Sequence, residues 1–143
     1  METKRLGNIG EAVAISSFAK HCIPVYIPFG DDEKVDLVVD FNGKLNKIQV
    51  KTSEKANDGK MIFDLTSSTS HRSNGRKHKY TPDEIDYFFC YNIERDKSFL
   101  IKAPDPPLSA ITIRYGTSKN NQVKNVNPED KFSFENVIKS ILD

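Results

Sequence analysis

The chain carries two cysteines, three histidines and no long apolar run, and its charges almost cancel. Each scarcity excludes a class of protein. Cys22 and Cys90 are too few for a disulfide-stapled fold and read as reduced, buried packing thiols. His21 stands beside Cys22, but sequence neighbours point apart on a helix or strand, so a Cys–His nucleophile pair has no support. No C-x-x-C or H-x-x-x-H spacing occurs, which leaves a structural zinc site without ligands. No segment approaches the roughly 20 apolar residues that span a bilayer. Met1-Glu2-Thr3-Lys4-Arg5 is not followed by the apolar stretch of a secretory signal, so the expectation is a cytoplasmic protein with no membrane association. There is no G-x-x-x-x-G-K-[ST] loop and no G-x-S-x-G elbow, so nucleotide hydrolysis and serine hydrolysis are not indicated. With 21 Lys and Arg against 20 Asp and Glu the net charge is +1. Total charge therefore says nothing about a polyanionic partner; only its distribution can.

What is present suits one globular domain over residues 1–143. The length is ordinary for a single core, and 37% of the residues are hydrophobic. Asn8 is expected to cap a helix running to about Lys20, with Glu11 close to capping-box spacing. Ile15, Phe18 and Cys22 then form one apolar stripe. Val25–Ile27 and Val35–Asp40 read as strands. Asn42-Gly43 is a strong hairpin signal, and Leu45–Thr52 is the returning strand. Met61–Leu65, Tyr87–Ile93, Ser98–Ile101 and Ile111–Tyr115 continue the pattern. The apolar run Tyr87–Ile93 is expected to be central and buried on both faces. Residues 67–80 and 116–128 read as polar loops. Ser133 caps a last helix whose Phe134, Val137, Ile138, Ile141 and Leu142 share a face. The predicted class is α+β, a mixed β-sheet flanked by helices with an αβββ core and β-hairpin additions.

Two observations bear on chemistry. On a helix, Ile15, Phe18 and Cys22 lie about 40°, 20° and 20° from Glu11. Glu11 thus shares the apolar side, where a carboxylate is costly unless compensated; it is either a capping-box acid or part of a site. The second is the hairpin register. With Asn42-Gly43 as a two-residue turn, Asp36 falls opposite Gln49, where facing Cβ atoms are about 4.5–5.5 Å apart. Alternation puts Val35, Leu37 and Val39 with Ile48 and Val50 on one face, and Asp36 with Gln49 and Lys51 on the other. Asp36, Glu11, the Gln49 amide and the Val50 carbonyl are hard oxygen donors suited to Mg²⁺. With Lys51 beside them, they are what phosphodiester hydrolysis requires. An ordinary solvated sheet face is the competing account of the hairpin.

Gly7-x-x-Gly10-Glu11, then Ile27-Pro28-Phe29-Gly30-Asp31 before Val35-Asp36-Leu37, then Ile48-Gln49-Val50-Lys51-Thr52 resemble the PD-(D/E)XK nuclease superfamily. The phrasing looks especially like its group I intron-encoded homing endonucleases. Archaeal Holliday junction resolvases look similar over the same stretch, roughly residues 5–55. The resemblance implies that Asp36 is the first metal-binding acid, Lys51 the motif lysine and Glu11 the helix acid of the resolvase-like branch. Gln49 stands where most members carry Asp or Glu, and Pro28 is far from Asp36, so the literal PD pair is absent. The implied activity is sequence-specific, homing-type cleavage of double-stranded DNA with Mg²⁺, for which Mn²⁺ substitutes. The alternatives are a Holliday junction resolvase, or a nuclease-like DNA-binding module that has lost catalysis through Gln49.

A nuclease needs a track for DNA. Arg72, Arg76, Lys77 and Lys79, with His71 and His78, occupy an acid-free stretch, and Arg114, Lys119 and Lys124 another. Both can neutralise phosphates, although solvated loops are the commoner origin of such runs. Asp31, Asp32, Glu33, Asp36 and Asp40 concentrate the acids elsewhere. One candidate site per chain implies a homo-oligomer, at least a dimer for a double-strand break and by resemblance a tetramer. The apolar face of the last helix is expected to serve either as core or as interface.

Overall fold

The computed structural model describes residues 1–30, 34–68, 77–116 and 127–143. The first helix, α1, spans Thr3–Lys20, and its buried side is Gly10, Ala14 and Phe18, spaced four apart. It starts five residues before the expected cap. Glu2, not Asn8, is the N-cap residue, so Glu11 lies mid-helix and cannot be a capping-box acid. Gly7 and Gly10 disguise the first turns, because glycine is a poor helix former. At the other end the Ile23 amide donates to the Phe18 carbonyl and the Cys22 amide to that of Ala19, at 3.1 and 2.9 Å. This is a Schellman termination, and Cys22 occupies its left-handed position with φ of 57°. That geometry turns the Cys22 side chain to solvent, contrary to the buried thiol expected; Cys90 is buried.

Among the described residues nine strands follow: β1 (Val25–Tyr26), β2 (Leu37–Phe41), β3 (Lys44–Ser53), β4 (Lys60–Asp64), β5 (Thr66–Ser68), β6 (Lys77–Lys79), β7 (Tyr87–Asn92), β8 (Lys97–Lys102) and β9 (Ala110–Arg114). Two helices, α2 (Glu129–Phe132) and α3 (Phe134–Leu142), complete the chain. The main sheet has the order β1-β2-β3-β7-β8. β3 pairs antiparallel with β2 and parallel with β7, so the sheet is mixed. The β2–β3 turn has positive φ at both Asn42 and Gly43, the twist a two-residue hairpin requires. It sets Phe41 opposite Lys44 and Leu37 opposite Ile48.

Each face of this sheet is covered. On one, Ala14 and Phe18 of α1 and Phe134 and Ile138 of α3 pack on Leu37, Val39, Ile48, Val50, Phe89 and Tyr91. The Ser133 hydroxyl accepts the Asn136 amide at the start of α3, as its sequence indicates, and the stripe of α3 is used in the core. On the other face β4 and β9 form a two-stranded layer whose Met61, Phe63, Ile111 and Ile113 meet Phe88, Cys90, Phe99 and Ile101. β7 therefore sends alternate residues into both cores, which accounts for its unbroken apolar run. The fold is α+β, a mixed sheet flanked by helices.

Two further differences from the sequence reading are local. Val35 packs in the second core with Met61 and Phe63, not with Leu37, because regular alternation begins only at Leu37. The basic stretch read as a loop begins and ends as strand, since β5 and β6 pair Thr66 with Lys79 and Ser68 with Lys77. Its polar sequence conceals this, because Thr, Ser, Lys and His carry no apolar alternation. Among the described residues no helix is long and apolar enough to cross a membrane.

Candidate active site

The geometry is set where β2 begins. The last ladder pair is Leu37 with Ile48. The Asp36 amide still donates to the Ile48 carbonyl at 2.9 Å, and the chain then leaves the sheet. That departure would orphan the next β3 amide, Val50. The Asp36 carboxylate replaces the missing strand: its Oδ2 accepts the Val50 N–H at 2.8 Å. This bond holds the carboxylate at the sheet's end rather than free on one face. The N–H and C=O of a strand residue leave on the same side, so the Val50 carbonyl faces the same gap.

Glu11 reaches Asp36 from the helix. Gly10 permits this: a Cβ there would lie 1.9 Å from Thr52 Oγ1 and 3.2 Å from Val50 Cγ1, so only glycine lets α1 sit so close to β3. Burial and then the neighbouring Asp36 carboxylate push the Glu11 carboxyl above its ordinary range. Asp36 is also raised; its burial outweighs the Val50 N–H and the Lys51 charge, which favour ionisation. Two carboxyls made reluctant to ionise by burial, Glu11 also by the charge of Asp36, form a site that a cation relieves.

Lys51 and Gln49 leave β3 on the face away from α1. The Lys51 ammonium donates to the Thr66 carbonyl at 2.5 Å and lies 5.4 Å from the Tyr80 ring centroid. Burial lowers its proton affinity, and the charges of Asp64 and Asp36 oppose that. Gln49 Oε1 is buried without a hydrogen-bond partner among the described residues, which is costly for an amide oxygen unless something else occupies it. Glu11, Asp36 and the Val50 main chain are hard oxygen donors that fit a divalent cation, and Gln49 Oε1 is a further oxygen of that kind on the lysine's face. Among the described residues there is no group of three or more His, Cys, Asp or Glu able to hold a metal; the third position is an amide.

The family model described as PD-(D/E)XK endonuclease matches residues 1–135. The chain belongs to the PD-(D/E)XK endonuclease family. It is a nuclease, and nucleases of this family generally use divalent metal ions. Among solved structures the chain is similar to the bacterial homing endonuclease I-Ssp6803I, with 23% identity, a TM-score of 0.76, and coverage of 98% of this chain and 95% of that one. At that identity the likeness speaks for the fold. No curated protein matches the chain.

The PD-(D/E)XK core thus gathers Glu11, Asp36, the Val50 main chain and Lys51, with Gln49 on the lysine's face. Lys77 and Lys79 are exposed on β6, and Lys77 is 3.6 Å from Asp64. Arg114 ends β9 opposite Lys60. Arg72, Arg76, Lys119 and Lys124 lie outside the described residues. Three neighbours of Lys51 were not legible in advance: Asp64, Thr66 and Tyr80. All precede or follow the basic stretch, and only pairing of β5 with β6 brings them to β3. A fourth group braces the approach to Asp36. Glu84 holds Lys34, the Thr81 N–H at 3.0 Å and His78 Nε2 at 2.7 Å. Burial pushes Glu84 up, but these three partners outweigh it and hold the carboxyl at about 2.

Proposed function

We propose that this nuclease is a sequence-specific, homing-type endonuclease that hydrolyses phosphodiester bonds in double-stranded DNA with a divalent metal, Mg²⁺ or Mn²⁺. The observation that carries the reading is the junction at Asp36, where a strand end, a helix-borne acid and a lysine from the opposite face converge. Asp36, Glu11, Gln49 Oε1 and the Val50 carbonyl would hold the cation. When bound, such an ion lowers the pKa of a water and offsets charge developing on phosphate.

The chain's own groups supply the rest. Val50 N–H fixes the Asp36 carboxylate, which would otherwise rotate freely about its side-chain bonds. Lys51 is placed to donate to a non-bridging oxygen of the scissile phosphate and to stabilise the negative charge that grows there. Its confined, partly desolvated position makes that charge more effective than a solvated lysine would be. Lys77, Lys79 and Arg114, with Arg72, Arg76, Lys119 and Lys124, serve as the phosphate-neutralising residues. A duplex break requires two sites, so the working form is a homo-oligomer, at least a dimer and by analogy a tetramer.

Selection of cleaved duplexes from a random library in Mg²⁺, with a four-way junction digested in parallel, tests this. Recovery of one long linear site supports homing-type cleavage. Junction cleavage regardless of flanking sequence would replace it with a resolvase. Binding without cleavage in either metal would indicate a DNA-binding module that has lost catalysis.

A further inference from the structure

We infer that Asp64 is a positioning residue for Lys51, acting through Thr66. The inference rests on the nuclease reading and adds a residue outside the helix acid, strand acid and lysine of that site. Asp64 ends β4, on its outward side, and its side chain is 61% exposed. It has no packing role there. Instead its Oδ1 accepts two bonds from one residue: the Thr66 N–H at 2.9 Å and the Thr66 hydroxyl at 2.6 Å. Thr66 is itself 8% exposed and pairs with Lys79 across the β5–β6 ribbon. With its amide and its hydroxyl both tied to Asp64 and its backbone paired in the β5–β6 ribbon, Thr66 is held on either side of its Cα, which limits the swing of its carbonyl. Its carbonyl is the acceptor for Lys51 at 2.5 Å.

The consequence for Lys51 is directional. Lysine carries four rotatable side-chain bonds and three donor protons, so one anchored proton fixes where the other two point. The Tyr80 ring bounds the ammonium on a second side. The chain Asp64–Thr66–Lys51 thus fixes the ammonium of a residue on β3 from the second β-layer, and presents its free protons toward Asp36 and the phosphate.

The test compares Asp64→Ala with Asp64→Asn, which keeps an oxygen acceptor. Single-turnover cleavage by Asp64→Ala is expected to fall about 10- to 100-fold, as misplacing a reacting group by about an ångström does. DNA affinity should stay within a few-fold or rise, since Lys77 is freed. Asp64→Asn should keep the rate within about three-fold. ¹³C relaxation at Lys51 Cε, measured without DNA, should report a lower order parameter in Asp64→Ala and a wild-type value in Asp64→Asn. An unchanged rate and order parameter in Asp64→Ala would overturn the proposal. So would losses of DNA affinity and fold in step with the rate, or an Asp64→Asn variant as impaired as Asp64→Ala. Failure of the wild type to cleave DNA in Mg²⁺ or Mn²⁺ would refute the nuclease reading instead, and the Lys51 order parameter would still decide whether Asp64 holds the side chain.

Discussion

Gly10→Ala isolates the close approach that delivers Glu11. The added Cβ meets Thr52 Oγ1 at 1.9 Å, where ordinary contact begins at 3.4 Å, and meets Thr52 Cβ and Val50 Cγ1 at 3.2 Å. Rotating Thr52 removes the worst contact but leaves both others, and Thr52 is β-branched on a central strand, so its rotamers are few. α1 must therefore lift. Overpacking of this kind costs about 1–3 kcal/mol, and replacing glycine by alanine in a helix interior returns about 1 kcal/mol. The net expectation is a loss of up to about 2 kcal/mol, read by urea or thermal unfolding as a drop of about 4 °C per kcal/mol. Glu11 follows Gly10 directly, so lifting the helix withdraws its carboxyl from Asp36, and cleavage should fall more than ten-fold. Thr52→Ala supplies the control. Its hydroxyl is buried without a partner, so its removal sacrifices no hydrogen bond. Combined with Gly10→Ala it should restore most of both stability and activity. A Gly10→Ala protein as stable and as active as wild type, or a loss that Thr52→Ala leaves untouched, would refute the packing argument.

Three other outcomes are expected. Lys51→Ala should abolish cleavage while DNA affinity, measured by anisotropy, stays within a few-fold; undiminished cleavage would remove Lys51 from the chemistry. Gln49→Glu adds a carboxylate where an orphaned amide oxygen stands, so Mn²⁺ affinity by calorimetry should rise about ten-fold or more; no change would mean Gln49 is not a ligand. Glu84 has a folded pKa of about 2 against an ordinary 4.5. A depressed carboxylate contributes stability that is complete above the unfolded value and vanishes as pH falls through the folded one. The stability difference between wild type and Glu84→Gln should therefore be constant above about pH 4.5 and shrink as the pH falls toward 2; parallel unfolding curves over that range would contradict the Lys34–Glu84–His78 brace.

Nearest-neighbour signals carried a large part of this molecule. Asn42-Gly43 fixed the β2–β3 register, because a two-residue turn with two positive φ values leaves no freedom in pairing. That register sets Gln49 and Lys51 on one face of β3. The unbroken run at β7 announced a strand buried on both sides, and Ser133 announced α3. The start of α1 was hidden because Gly7 and Gly10 weaken the helical pattern locally, while the tight approach of β3 that explains Gly10 lies forty residues away. Cys22 deceived because the Schellman turn ends the stripe one residue too early for it to be buried.

The polar residues follow the same division. Sequence alone determined that an amide and a lysine share one face of the returning strand, since alternation and turn geometry are local constraints. Only the tertiary structure decided that Asp36 sits past the end of its strand, bonded to the Val50 amide, because that depends on where β2 parts from β3. It alone decided that Glu11 belongs beside Asp36, and that Asp64, Thr66 and Tyr80 surround Lys51. Those contacts join segments with no periodic pattern in common, and they exist because two separately packed layers close on β3 from opposite sides.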